Sequence, residues 1–472
     1  MVSRILGFPL SIDLTNTAPA HYFASDYDLG GGPKRLSAGN DFAMLSQYCI
    51  NNGIRLISDL VMGFGHDPYV QIDFRAFHII PDRNEPDVDN YQSYRDGELR
   101  DTNGGSCWRY LRDKTTYQSY DPQSGQQANL KPARVFHRAH LAYWMSQFKL
   151  GGFRLDSLNN VADWNFIHEF HESAYEHFRT LYSTKGGSDD QFIVIGEELS
   201  TPLDMIQERK PCVDALWNEE FRRGLRAIVV GESYNNDTFA WTVKKTIDCT
   251  LLNIWNKRTQ QNDSHFESGL QAVNYITSHD TAGDRHERLF NQLAFMGVAK
   301  NADKARRAKL AFACLLTSVG IPMIFAGEEF CDAMDRNEEG KQRDPVNWAR
   351  KEDGWRIDLF KCVARLVRLR KTCPALQDLS KGSTKFIKED ISDTRRVMAW
   401  VRGRDPETKV VVVANFSDGT PSTTRYSIDG WPETPAGLKW FDVIDDSDAP
   451  NAGHEPLGPW DVKVYTLVEQ KG

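Results

Sequence analysis

Apolar runs that end at acids, repeated in order along the chain, limit this sequence more than any other feature. Residues 54–61 form one such run and carry Asp59. Residues 153–156 form a second and end on Asp156. Residues 192–195 form a third, followed by Gly196, Glu197 and Glu198. A shorter run, 272–276, leads to His279 and Asp280. Stretches of helical period lie between and beyond them. Residues 41–52 place Phe42, Leu45 and Tyr48 on one face, and residues 134–148, 163–181, 239–247, 307–318 and 355–370 read likewise, with Asp163 an N-cap. Buried strand followed by helix, many times over, means parallel βαβ units. The expected fold is α/β, a (β/α)8 TIM barrel, in which the acids at the carboxyl ends of successive strands face one site.

The regular pattern fails from 63 to 132, where aromatics, Pro, Gly and Asp dominate. A long irregular insertion in such a fold serves as a lid or binding loop. From residue 381 the pattern turns to short β-rich runs, clearest at 396–401, 409–413 and 462–468. The domains expected are therefore a catalytic barrel over 1–380 and a C-terminal antiparallel β-sandwich over 381–472.

Composition narrows the partners. A net charge of −8 argues against nucleic acid and anionic lipid. The absence of any apolar run of about 18 residues argues against a transmembrane helix. The first 14 residues lack a secretory signal pattern and read as a strand from Ile5 to Leu14. Eight Cys are scattered with no CxxC pair, which favours free thiols in a reducing, cytoplasmic setting.

Each acid admits a plain structural role and a chemical one. Asp156 lies two residues after Arg154, on the same strand face. The pair is either a structural ion pair or a carboxylate kept ionised for nucleophilic attack. Glu197 and Glu198 point to opposite faces of an extended chain, so only one can enter a pocket. Cleaving a glycosidic bond uses two carboxyl groups flanking that bond, and a third anion helps the oxocarbenium-like transition state.

The order Asp59-Leu60-Val61-Met62, Gly152-Phe153-Arg154-Leu155-Asp156, Gly196-Glu197 and His279-Asp280 resembles the α-amylase superfamily (glycoside hydrolase family 13-like). Met323 to Phe330 and Lys341 to Trp348 are similar to its branching, debranching and trehalose-releasing members. That resemblance implies Asp156 as nucleophile, Arg154 as its positioner and Glu197, after Gly, as acid/base. It implies Asp280 as transition-state stabiliser and His279 as donor to the attacked sugar. Asp59 supports the site. Glu328 and Glu329 shape the substrate groove.

Three departures stand out. Where the family continues its first motif with Asn-His, this chain has Gly63-Phe64, and His66 comes two residues late. The Asn helps bind calcium in many relatives, so no metal or other cofactor is expected here. His66 is the candidate for the sugar contact. Near the start, the family's stacking Tyr is replaced, and Tyr22 is the candidate substitute. Lastly, a complete strand–helix unit precedes the 5–14 strand in relatives, whereas four residues precede it here. A barrel without its first strand–helix unit has two unpaired edges.

The function expected is that of a retaining glycosidase hydrolysing α-glucosidic bonds in starch- or glycogen-like glucans or maltooligosaccharides through a covalent glycosyl-enzyme. Two alternatives use the same residues: a glucosyltransferase, branching or trehalose-related, and an inactive carbohydrate-binding or regulatory homologue.

Overall fold

Strand register is what brings the acids together. The computed structural model describes residues 22–23, 25, 30–31, 37–65, 106–110, 120–121, 126–127, 131–161, 163–182, 187–207, 210–256, 261–285, 287–335, 345–419, 427–454 and 456–470. The strand expected at 5–14, His66 and most of the 63–132 insertion lie outside these residues. The chain divides into two compact units, one over Ile12–Trp217 and the other over Asn218–Asn256 and Gln260–Gly472.

In the first unit four parallel strands pair in the order β1 (Ser58–Val61), β2 (Gly152–Asp156), β3 (Ile193–Gly196) and β4 (Ala215–Trp217). Helix α1 (Ala38–Asn51) precedes β1, α2 (Pro132–Phe148) precedes β2, and α3 (Trp164–Tyr182) separates β2 from β3. All five residues of β2 are buried, as a central parallel strand requires. A Cβ on Gly152 would run into the Ile193 carbonyl oxygen, so this position accepts only glycine. Asp163 caps α3 by accepting from the Asn165 N–H (2.9 Å) and also pairs with Arg134 of α2. Asp214 fastens α3 to the sheet. It accepts from the Val194 N–H (2.7 Å) and the Tyr175 hydroxyl (2.9 Å), and contacts the His171 ring (2.9 Å).

The described part of the insertion is not wholly irregular. Phe64–Gly65 pairs antiparallel with Ser106–Cys107, and Tyr120–Asp121 with Gln126–Gln127.

In the second unit Asn218 caps α4 (Glu219–Ile228) by accepting from the Phe221 N–H (3.1 Å). Helix α5 (Phe239–Ile247) follows, then the parallel pair β5 (Ala272–Tyr275) and β6 (Ile321–Met323). A helical turn α6 (His279–Arg285) leaves β5. Helices α7 (Asn301–Thr317) and α8 (Gly354–Thr372) carry the core through Leu310, Phe312, Leu315, Leu359, Val363 and Leu366.

The C-terminal region is antiparallel, as expected, and its six strands among the described residues pair in one continuous order. Its strands are β7 (Thr384–Ile391), β8 (Arg396–Arg402), β9 (Val410–Asn415), β10 (Leu438–Asp442), β11 (Ser447–Asp448) and β12 (Val462–Glu469), in the order β7-β8-β9-β12-β10-β11. Alternation along β8 and β9 sends their side chains into two cores. Met398, Trp400, Val410 and Val412 join the core built by α7 and α8. Val397, Ala399, Val411 and Val413 face the other way and are covered by Trp440 of β10 and by Ile428 and Leu457 from the connections. No helix among the described residues is long and apolar enough to cross a membrane.

Candidate active site

Pairing of β1 with β2 sets Asp59 beside Arg154 and Val61 beside Asp156. Pairing of β2 with β3 sets Arg154 beside Ile195 and Leu155 beside Gly196, so Glu197 emerges level with Asp156. Acids separated by about a hundred residues thus share one strand-end level.

Arg154 stands at the centre. Its Nη1 donates to Asp59 (2.7 Å) and to Asp156 (2.5 Å), and its Nη2 donates to Glu197. The guanidinium also lies over the Trp217 ring at 4.7 Å. Arg154, Asp156 and Glu197 are each under 9% exposed, whereas the Asp59 side chain is 53% exposed. Burial alone would pull the Arg154 pKa down. The charges of Asp59, Glu197 and Asp156 outweigh it and hold the guanidinium well above its ordinary range.

The Glu197 carboxylate has a second donor, the Ser157 N–H, at 3.1 Å. Both described donors, Arg154 and Ser157, use the same oxygen, Oε2. Ser157 reaches it because its backbone is left-handed (φ 48°), which costs an L-residue about 1–2 kcal/mol. The Leu158 N–H donates to the Glu197 carbonyl and the Glu197 N–H to the Leu155 carbonyl, both at 2.9 Å, fixing the chain where it leaves β3. A Cβ on Gly196 would meet Leu158 Cδ1 at 2.8 Å, which explains a glycine before the acid. Glu198 is buried too, but its carboxylate takes the Ser200 hydroxyl at 2.5 Å.

His279 and Asp280 head α6 in the second unit, their side chains 3.6 Å apart. Ser278 and Thr281 cap that turn reciprocally. The Thr281 N–H donates to the Ser278 hydroxyl (3.3 Å) and the Ser278 N–H to the Thr281 hydroxyl (3.0 Å).

Two sequence expectations are revised. Tyr22 is 3% exposed, its ring set edge-on against Trp108, Phe136, His137 and His140. Its hydroxyl donates to the Phe64 carbonyl at 3.0 Å. A ring enclosed this way gives no stacking face to a sugar, so Tyr22 braces the chain after β1 instead. Glu328, assigned above to the groove, is 1% exposed. It pairs with Arg288 (3.3 Å) and accepts from the Leu289 N–H (3.2 Å). Glu329 folds back onto the Gly327 N–H at 2.8 Å. At Gly63 a Cβ would come within 3.0 Å of Asn160 Cβ, so an Asn at this position would require its neighbour to give way.

Sequence reading missed the Ser157 amide and the Trp217 ring as parts of the Arg154 cluster. Neither carries a local signal. The first depends on a left-handed backbone at a Ser, and the second on β4 lying beside β3.

A family model for the α-amylase catalytic domain matches residues 37–354. The chain belongs to the α-amylase family. It is 25% identical over 276 residues to malto-oligosyltrehalose trehalohydrolase of Saccharolobus solfataricus, covering 50% of this chain and 46% of that protein. It is 26% identical over 267 residues to pullulanase of Bacillus subtilis, covering 52% and 33%. The chain thus matches less than half the length of these two curated relatives. A pullulanase type I structure from Bacillus subtilis, complexed with maltose, superposes with a TM-score of 0.68 at 17% identity, over 96% of this chain and 59% of that one. An Anoxybacillus α-amylase structure gives 0.61 at 16% identity, over 96% and 83%. These likenesses show the fold, the TIM barrel of the family with an antiparallel C-terminal sheet.

Proposed function

We propose that this protein is a retaining enzyme of α-glucosidic bonds in starch- or glycogen-like glucans or maltooligosaccharides. One observation carries the reading. Asp156 and Glu197 sit on neighbouring nitrogens of a single buried guanidinium. That sharing holds both carboxyls at one cation, and a retaining mechanism expects them ~5–5.5 Å apart where an inverting one expects ~6.5–9.5 Å.

Asp156, held ionised by Arg154, attacks the anomeric carbon as the bond to the leaving oxygen breaks. Glu197 gives that oxygen its proton. In the second half, Glu197 takes a proton from the incoming hydroxyl, which attacks the glycosyl–Asp156 ester and frees Asp156. Asp280 stabilises the positive charge of both transition states, and His279 donates to the sugar under attack. Asp59 supports the site by binding Arg154. His66 remains the candidate for a further sugar contact. We place the work in a reducing, cytoplasmic setting. Cys49, Cys249, Cys314, Cys331, Cys362 and Cys373 are buried thiols, none in a disulfide.

Transfer to a sugar hydroxyl in place of water is the second reading. It is favoured by the match to the 1,4-alpha-glucan branching enzyme of Bacillus mycoides, 22% identical over 298 residues, covering 61% of this chain and 42% of that protein. Incubation with amylose, pullulan, glycogen and maltooligosyl trehalose, followed by product separation, tests both. New reducing ends support hydrolysis. Rearranged chains without new reducing ends support transfer. No product from any of the four sinks the enzymatic reading in favour of a binding homologue.

A further inference from the structure

Asp280 rides on a short helical turn, and a side chain from another element clasps that turn at both ends. Residues Ile276 and Thr277 lead into α6, and Glu287 follows it. Arg226, from α4, touches all three. Its Nε donates to the Ile276 carbonyl at 3.0 Å, and its Nη2 donates to the Thr277 hydroxyl at 3.2 Å. The same Nη2 donates to the Glu287 carbonyl at 2.6 Å, while Nη1 donates to the Glu287 carboxylate at 2.8 Å. Within the turn, the Glu287 N–H donates to the Thr281 carbonyl at 3.0 Å. Four of the five N–H donors of a guanidinium are thereby committed to one segment.

The surrounding charges do not call for Arg226 in another role. Glu219 is held by Arg222 and Arg223, and Glu328 by Arg288. Arg226 is 6% exposed. Burial and the nearby Arg222 pull its pKa down to about 10, which still leaves it cationic near neutrality. A buried cation that spends itself on two carbonyls, a hydroxyl and one carboxylate of a single segment is fixing geometry.

We propose that Arg226 is a positioning residue for the step assigned to Asp280. Its planar fork closes the segment from Ile276 to Glu287 and so sets where His279 and Asp280 stand relative to the end of β5, without touching substrate. The inference rests on the role proposed above for Asp280. Lysine cannot replace it, because one ammonium is a point donor and cannot span both ends of the turn.

The test uses the full chain with Arg226→Lys, Glu287→Gln, Asp280→Asn and the double change Arg226→Lys with Asp280→Asn. Amide hydrogen exchange without ligand reads the segment directly. Turnover of maltohexaose reads its consequence. Arg226→Lys should speed exchange across 277–287 at least tenfold, leave β2 and β3 protected, and lower kcat about 100-fold with KM changed less than threefold. Glu287→Gln, at a partly exposed residue, should do the same more weakly. In the Asp280→Asn background Arg226→Lys should cost less than about threefold more, since coupled residues do not act additively. Unchanged exchange in 277–287 overturns the proposal. So does a full multiplicative loss in the double variant, or a rate loss that appears only with loss of protection throughout the chain. A wild-type protein inactive on every glucan would sink the activity reading, while the exchange result would still decide whether Arg226 closes the segment.

Discussion

Around Arg154, one guanidinium serves three carboxylates among the described residues. Around α4 and α6, Glu219, Glu287 and Glu328 each have an arginine: Arg222, Arg226 and Arg288. Both clusters are largely buried, Asp59 and Glu287 being their more exposed members, and both lie at the carboxyl ends of parallel strands. The difference is the ratio of charges. A matched cluster has settled its electrostatics at folding and acts as scaffold. A cluster with more acids than cations keeps carboxyl groups whose proton and charge can still be exchanged with a substrate. Burial of an acid, taken alone, does not separate the two cases, as Glu328 illustrates.

The sharpest way to break the comparison is to neutralise acids in the unmatched cluster. Asp156→Asn and Glu197→Gln should each lower kcat by at least ~10³-fold with little change in Tm, since positioned acid–base groups alone contribute up to ~10⁴-fold. Comparable turnover in either variant, measured on whichever glucan the wild type uses, would show that the cluster is scaffold after all.

Next in size is Arg154→Met. It removes the cation that Asp156 and Glu197 share, and breaking a buried pair this way costs about 3–5 kcal/mol. Asp59, mostly in solvent, adds little. The folded pKa of Arg154 lies well above its free value. Its contribution is therefore complete below the free value and is lost only as pH rises through the folded one. Denaturant titrations of wild type and variant at several pH values around neutrality should give the same difference. A difference that varies across this range would mean that the carboxylates, not Arg154, set the stability.

Glu328→Gln probes the matched cluster. Burial raises the Glu328 pKa above its ordinary 4.5 despite Arg288. A raised carboxyl pKa stabilises the folded state fully below 4.5, and that contribution is lost as pH rises through the folded value. Gln cannot titrate. The variant should lack this fall, so its deficit should be greatest in acid and shrink toward neutrality, to about 1–2 kcal/mol. Turnover should drop less than tenfold. A loss like that of Asp156→Asn would place Glu328 in the chemistry.

Smallest of all is the effect expected from a chelator. We propose that no calcium supports the strand-end loop beside Gly63, so Tm with and without EDTA should coincide. A large fall would reveal a bound ion, since removing a ligand that binds only the folded state lowers stability.

Local sequence determined which acids stand at strand ends, because a buried parallel strand is a continuous apolar run and its terminator is legible without neighbours. It also placed α2, α3, α5 and α8 to within a few residues, and it found the Asp163 cap. Helix α4 escaped because Glu219, Arg222 and Arg226 are polar residues buried by ion pairing, Glu219 with Arg222 and Arg226 with Glu287, which interrupts the apolar stripe. Sequence paired Arg154 with Asp156 through a two-residue spacing. Only the fold could add Asp59 and Glu197, which lie 95 and 43 residues away along the chain and arrive through strand register. Likewise sequence points Tyr22 and Glu328 toward the substrate, and both lie in the interior. A side chain's type is written in the sequence, but the partners that satisfy it are fixed by long-range contacts that form only when the strands align.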